Sequence, residues 1–194
     1  MTARTLWTRC LVVTAALGVS GLPVHAQSAQ TWSVQGSLLV ANQNLNGKLI
    51  SGIGFEGQLR YTPSVWSVGA GVQYSSHSSN GETLNLTGLF VEPRYALDVG
   101  SDLFAPYLAG RIALLHESSN LNNAPNVSSN GFAFGGGAGF LIRASKTVNF
   151  DFGAAIVSQS LDNATASNGN VVAFKTFAGY ILKGGVSVGF GGGK

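Results

Sequence analysis

The sequence is short of charge, proline and cysteine, and each shortage excludes a class of protein. Charged residues make up only 10% of the 194 positions, against roughly 25% in soluble domains, which argues against an ordinary water-facing surface. Cys10 is the single cysteine, so an intrachain disulfide and a thiolate metal site are excluded. Five prolines leave long stretches free to pair as strands, and 27 glycines accompany them. Beyond residue 30 no apolar run reaches the roughly 20 residues that a membrane-spanning helix needs.

The N-terminus reads as an export signal over residues 1–26. Arg4 and Arg9 supply a positive start, Leu11 to Leu22 an apolar middle, and Val24-His25-Ala26 a small-residue cleavage site. Gln27 then begins the mature chain, a single domain over 27–194. Cys10 precedes the apolar run, which excludes a lipid-attachment box behind it. Without Arg4 and Arg9, nine basic residues face eight acids, a net charge of 9 − 8 = +1. No basic patch remains that would suit nucleic acid.

What the chain does have is alternation. Ile53, Phe55, Gly57, Leu59 and Tyr61 share one phase, and Gly54, Glu56, Gln58 and Arg60 the other, the period-two pattern of a strand with unlike faces. Residues 32–40, 66–74, 132–143, 148–156 and 172–190 repeat it. Two stretches are less regular. Near Gly88 the apolar phase slips, which predicts a bulge, and Pro93 removes a ladder donor; residues 106–116 are apolar in both phases, with Arg111 alone marking the polar face. The count is eight strands.

Alternation does not say which face is outside. The charges Glu56, Arg60, Glu92, Arg94, Arg111, Arg143, Asp151, Lys175 and Lys183 all fall in the non-apolar phase. The connections alternate as well. Residues 41–48, 76–83, 117–131 and 159–171 are long and rich in Asn and Ser, whereas Thr62-Pro63-Ser64, Asp98 to Asp102 and Ala144-Ser145-Lys146 are short. Long loops on one side and tight turns on the other fit an up-and-down transmembrane barrel with its turns facing the periplasm. That topology puts Trp32, Tyr61, Trp66, Tyr95, Phe104, Phe140, Phe150 and Phe190 near the periplasmic ends as an aromatic girdle, with Tyr74, Phe132 and Phe174 toward the opposite rim. The predicted fold is an all-β, eight-stranded antiparallel up-and-down transmembrane β-barrel, apolar face to lipid and charges inward.

Glu92-Pro93-Arg94-Tyr95, Pro106-Tyr107-Leu108-Ala109-Gly110 and the terminal Val186-Ser187-Val188-Gly189-Phe190 resemble the small outer-membrane β-barrel family of Gram-negative bacteria, which includes OmpA-type, OmpX-type and opacity-type barrels. The resemblance covers the whole mature chain, with one departure: Gly191 to Lys194 follow the terminal aromatic. It implies a monomer in the cell outer membrane that contacts lipid and lipopolysaccharide, and insertion by the barrel-assembly machinery.

An eight-stranded barrel has a lumen only wide enough for side chains, so the inward charges need one another. Glu56, Arg60, Glu92, Arg94, Arg111, Arg143, Asp151 and Lys175 are expected to form a lumenal ion-pair network, and the protein to act structurally or in surface interaction through its Asn/Ser-rich outer loops. A small-solute channel is one alternative. Another is a lipid A deacylase type of enzyme, since some outer-membrane barrels use a His and a Ser two positions on, with the His as general base. His77-Ser78-Ser79 and His116-Glu117-Ser118 have that spacing beside outer loops, where serine is common enough for a chance match. A soluble periplasmic ligand-binding barrel is a third. The glycines at 135–139 and 191–193 lack the strand-to-helix context of a phosphate loop, and the sequons at Asn85, Asn126 and Asn163 have no role in a bacterium. The sequence therefore points to no catalytic, cofactor-binding or metal residue.

Overall fold

The computed structural model describes residues 30–45, 48–79, 82–120, 127–165, 171–172 and 177–193. The expected export signal, Phe174 and Lys175 lie outside them. The strands are β1 (Gln30–Leu45), β2 (Lys48–Tyr61), β3 (Trp66–Ser79), β4 (Glu82–Ala96), β5 (Phe104–Asn120), β6 (Val127–Arg143), β7 (Val148–Leu161), β8 (Ala164–Thr165), β9 (Val171–Val172) and β10 (Phe177–Gly193). Eight of them close an antiparallel barrel in the order β1-β10-β7-β6-β5-β4-β3-β2, and β8 pairs only with β9.

Closure turns the sequence alternation into an outside and an inside. Leu38, Ile53 and Ile156 are 75%, 74% and 69% exposed, whereas Gln35, Glu56 and Asp151 in the opposite phase are at most 2% exposed. The apolar row therefore faces outward and the polar row fills the lumen, the reverse of a soluble barrel. The short turns hold their shape through local bonds. Asp98 Oδ1 accepts from the Gly100 amide (2.9 Å), where φ is +66°, and Ser145 Oγ accepts from the Val148 amide (3.0 Å).

Two expectations change. The slip at Gly88 is not a bulge, because the β3–β4 register runs unbroken from Trp66↔Tyr95 to Ser79↔Glu82, with Gln73↔Gly88 between. What changes there is the filling of the lumen: Leu84, Leu86 and Phe90 point inward where Glu92 and Arg94 do so farther along the same row. Apolar residues in both phases mimic a phase shift. Pro93 does interrupt pairing, since the β4–β5 rungs pass from Val91↔Ile112 to Arg94↔Ala109.

The long Asn/Ser-rich segments are also less loop than expected. Pairing continues to Leu45↔Lys48 and Ser79↔Glu82, so only residues 46–47 and 80–81 separate the strands, and β5–β6 pairing extends to Ser119↔Val127. Barrel strands of 14 to 17 residues exceed the roughly 9–11 that cross a bilayer. The surplus lies at the hairpin end, where the outward row turns polar at Ser76, Asn85, His116, Asn130 and Ser158. Backbone pairing does not require apolar side chains, so the ladder outlasts the greasy surface.

Finally, β10 continues beyond Phe190 to Gly193. The one register shift against β1 falls between Gln30 and Trp32, beside Gly191 at φ +88°, a conformation that only glycine adopts without strain.

Candidate functional site: the lumenal ion cluster

The lumen is built in layers. Next to the short turns lie Val65, Ala96 and Ala105 with Leu141 packed against them. A charged layer follows, and then an apolar one made of Leu86, Phe90, Ala113, Leu115, Ala133 and Leu161 on one side and Leu39, Ala41, Val157 and Ile181 on the other. At the hairpin end the interior is polar again, with Ser75, His77, Glu117, Ser129 and Gln159 buried.

Glu92 is the hub of the charged layer. Its Oε1 is 2.9 Å from Arg60 Nη2 and 2.8 Å from Arg94 Nη2, and its Oε2 is 3.0 Å from Arg111 Nη1 and 2.8 Å from Lys183 Nζ. Three of these cations reach a second carboxylate. Arg94 Nη2 lies 2.7 Å from Asp151 Oδ2, Arg111 Nη2 2.8 Å from Glu56 Oε2, and Lys183 Nζ 3.2 Å from Glu56 Oε1. The forked guanidinium suits this bridging because it offers several donors in one plane. Four cations face three carboxylates, so the cluster carries 4 − 3 = +1.

Neutral groups complete the layer. Tyr107 Oη donates to Asp151 Oδ1 (2.7 Å) while the Arg94 guanidinium lies 4.1 Å from the Tyr107 ring centroid. Gln58 and Gln73 accept from Arg60 and Arg111 at 2.9 and 2.6 Å, and Arg111 stacks 3.8 Å over Phe90. Phe90 thus forms the seam with the apolar layer. Gly139 makes room for Tyr107, because a Cβ there would sit 2.4 Å from Tyr107 Oη.

Of the residues expected in the network, Glu56, Arg60, Glu92, Arg94, Arg111 and Asp151 are brought together. Arg143 is not part of this set: it ends β6 half-buried, in register with Asn149 one inward position below Asp151, and keeps contacts of its own. Lys175 lies outside the described residues. Lys183, already in the inward phase, bridges Glu56 and Glu92, and Tyr107 joins unforeseen; its separation from Arg111 by four residues was the signal, since both then share a face.

The girdle residues line the turn end. Trp32, Tyr61, Phe104, Phe150 and Phe190 are 39% to 47% exposed on the outer surface, while Trp66, Tyr95 and Phe140 are half-buried. Ring centroids lie 4.8 Å apart for Trp32–Tyr61, 4.7 Å for Trp66–Tyr95 and 5.4 Å for Phe104–Phe140.

The two histidines differ. His77 is no loop residue: it is 2% exposed, points into the lumen from β3 and lies 3.1 Å (Nε2) from the Ala41 carbonyl. His116 and Ser118 share the outer face of β5 just beyond the apolar band, and His116 Nδ1 lies 2.8 Å from Asn130 Oδ1. Among the described residues no group of three or more His, Cys, Asp or Glu side chains is arranged to hold a metal.

Comparison with known proteins agrees with this architecture. Neisserial surface protein A is 18% identical with a TM-score of 0.68, the match covering 82% of this chain and 97% of that one. Ail, the attachment invasion locus protein of Yersinia pestis, is 14% identical with a TM-score of 0.51, over 80% of this chain and 97% of its own. At these identities the likeness shows the fold. No curated protein sequence matches the chain. The family described as outer membrane protein beta-barrel domain matches residues 12–191, and the chain belongs to that family, whose place is the outer membrane.

Proposed function

We propose that this barrel is a non-conducting, non-enzymatic outer-membrane protein with a structural and surface-interaction role. The observation that carries this reading is how closely side chains fill the described part of the lumen. Four cations converge on Glu92, and the cavities beside the cluster and the apolar layer hold only about 20, 20 and 10 Å³, where one water needs roughly 10–15 Å³. Single waters fit such spaces; a continuous water column does not. The outward apolar row supports contact with lipid and lipopolysaccharide, and the Ser- and Asn-bearing hairpin extensions are the parts available to an external partner. A monomer, export through residues 1–26 and insertion by the barrel-assembly machinery belong to the same reading.

Planar-bilayer recording tests it. The purified barrel is expected to give no discrete conductance steps, and reproducible ohmic steps would overturn the non-conducting reading. A second reading, a lipid A deacylase, draws on the His116–Asn130 contact with Ser118 on the same face, a base with an orienting group beside a hydroxyl. Mass spectrometry of lipid A separates the two. An unchanged acyl count on expression supports the structural role, and acyl loss that His116→Ala reverses supports the enzyme.

A further inference from the structure

Between the short turns and the ion cluster lies a small chamber walled by all eight barrel strands. Arg60 and Arg94 line it together with Ser33, Ser67, Asn149 and Ser187, and among the described residues no carboxylate does. We propose that this chamber binds one small monovalent anion of about chloride size.

Three observations converge. The first is donor chemistry: the wall offers guanidinium, hydroxyl and amide groups, all able to donate to an anion. The second is unused donor capacity. Arg94 Nη1 and Arg60 Nε are buried with no hydrogen-bond partner among the described residues, although the two side chains are only 3% and 6% exposed. A buried cationic donor left unpaired is costly, and an acceptor in the chamber removes that cost. The third is charge: the adjoining cluster carries one cation more than it has carboxylates, so one monovalent anion balances it. The volume of about 20 Å³ sets the size limit, since it exceeds what one water needs, roughly 10–15 Å³, by less than a second water. Phosphate and larger oxyanions are excluded on that ground. The site does not depend on whether the barrel conducts or has enzyme activity.

The test uses the full mature barrel folded in detergent, with urea unfolding followed by gel shift in sodium chloride, sodium bromide and sodium gluconate at equal ionic strength. Halide at ten times its dissociation constant is expected to raise the folded-to-unfolded ratio roughly tenfold over gluconate, and the effect should saturate as for one site. Bromide should give an anomalous peak in the chamber of crystals. Because removing Arg94 also breaks the ion cluster, the deciding variant is Ser33→Val with Ser187→Val, which fills the chamber and leaves every ion pair in place. It should fold and lose the halide response. Equal midpoints in all three salts, a response retained by the double valine variant, or bromide bound only elsewhere would each overturn the site.

Discussion

The two middle layers of the lumen, a charged half on the turn side and an apolar half on the hairpin side, are made of opposite materials. One is a cluster of seven ionised side chains held by hydrogen bonds; the other is packed Leu, Val, Ile, Ala and Phe. They meet where Arg111 stacks on Phe90. Both halves fill the described lumen with side chains, but they fail differently. The charged half is cooperative, because each carboxylate serves two or more donors and the loss of one member strands its partners in a dry interior. The apolar half is graded, because each deletion removes only its own contacts and leaves a cavity of its own size.

The largest effect should follow from breaking the hub. Arg94→Ala leaves Asp151 Oδ2 without its donor and takes one of several donors from Glu92 Oε1, and it is expected to cost about 3–5 kcal/mol, read as a lower urea midpoint of the folded barrel. Glu92→Ala should cost at least as much, since four cations lose an acceptor. An unchanged midpoint for either variant would mean that the cluster adds nothing to the apolar packing. In the other half, Leu115→Ala is expected to cost about 2–5 kcal/mol according to how far the layer relaxes, and to add to Arg94→Ala when the two are combined, because the residues share no partner. Strong non-additivity in that double variant would join the two halves into one unit. The smallest of the three effects lies outside: Ala138→Lys, on the outward row of β6 between Phe134 and the girdle Phe140, should cost about 2–4 kcal/mol toward membrane midplane depth, measured by folding into lipid vesicles. Folding indifferent to that lysine would reverse the outside and the inside of the sheet.

Much of this was legible in advance where the two rows of a strand differ in polarity. In β2, with Ile53, Phe55, Leu59 and Tyr61 on one row and Glu56, Gln58 and Arg60 on the other, both the strand and its faces follow from the pattern. The same rule misled at Gly88, where inward Leu86 and Phe90 join outward Leu89 and Val91 and a change in lumen filling looks like a change of phase. It misled again at the hairpin ends, where Ser and Asn suggest loop although the backbone ladder continues. Lys183 and Tyr107 stood in the right phase, yet no local pattern names their partners.

The sequence by itself determined the strand number, the outward apolar row and the inward placement of the charges. The strands and their two faces follow from the two-residue repeat, and the outward sense of the apolar face from the alternation of long and short connections, both readable along the chain without knowledge of the fold. Only the tertiary structure decided who meets whom in the lumen. Arg94 and Asp151 are 57 residues apart, and Lys183 and Glu56 are 127 apart. Those pairs exist because β10 closes onto β1 and brings the far end of the chain across the lumen to β2 and β4, and closure is a property of the whole sheet.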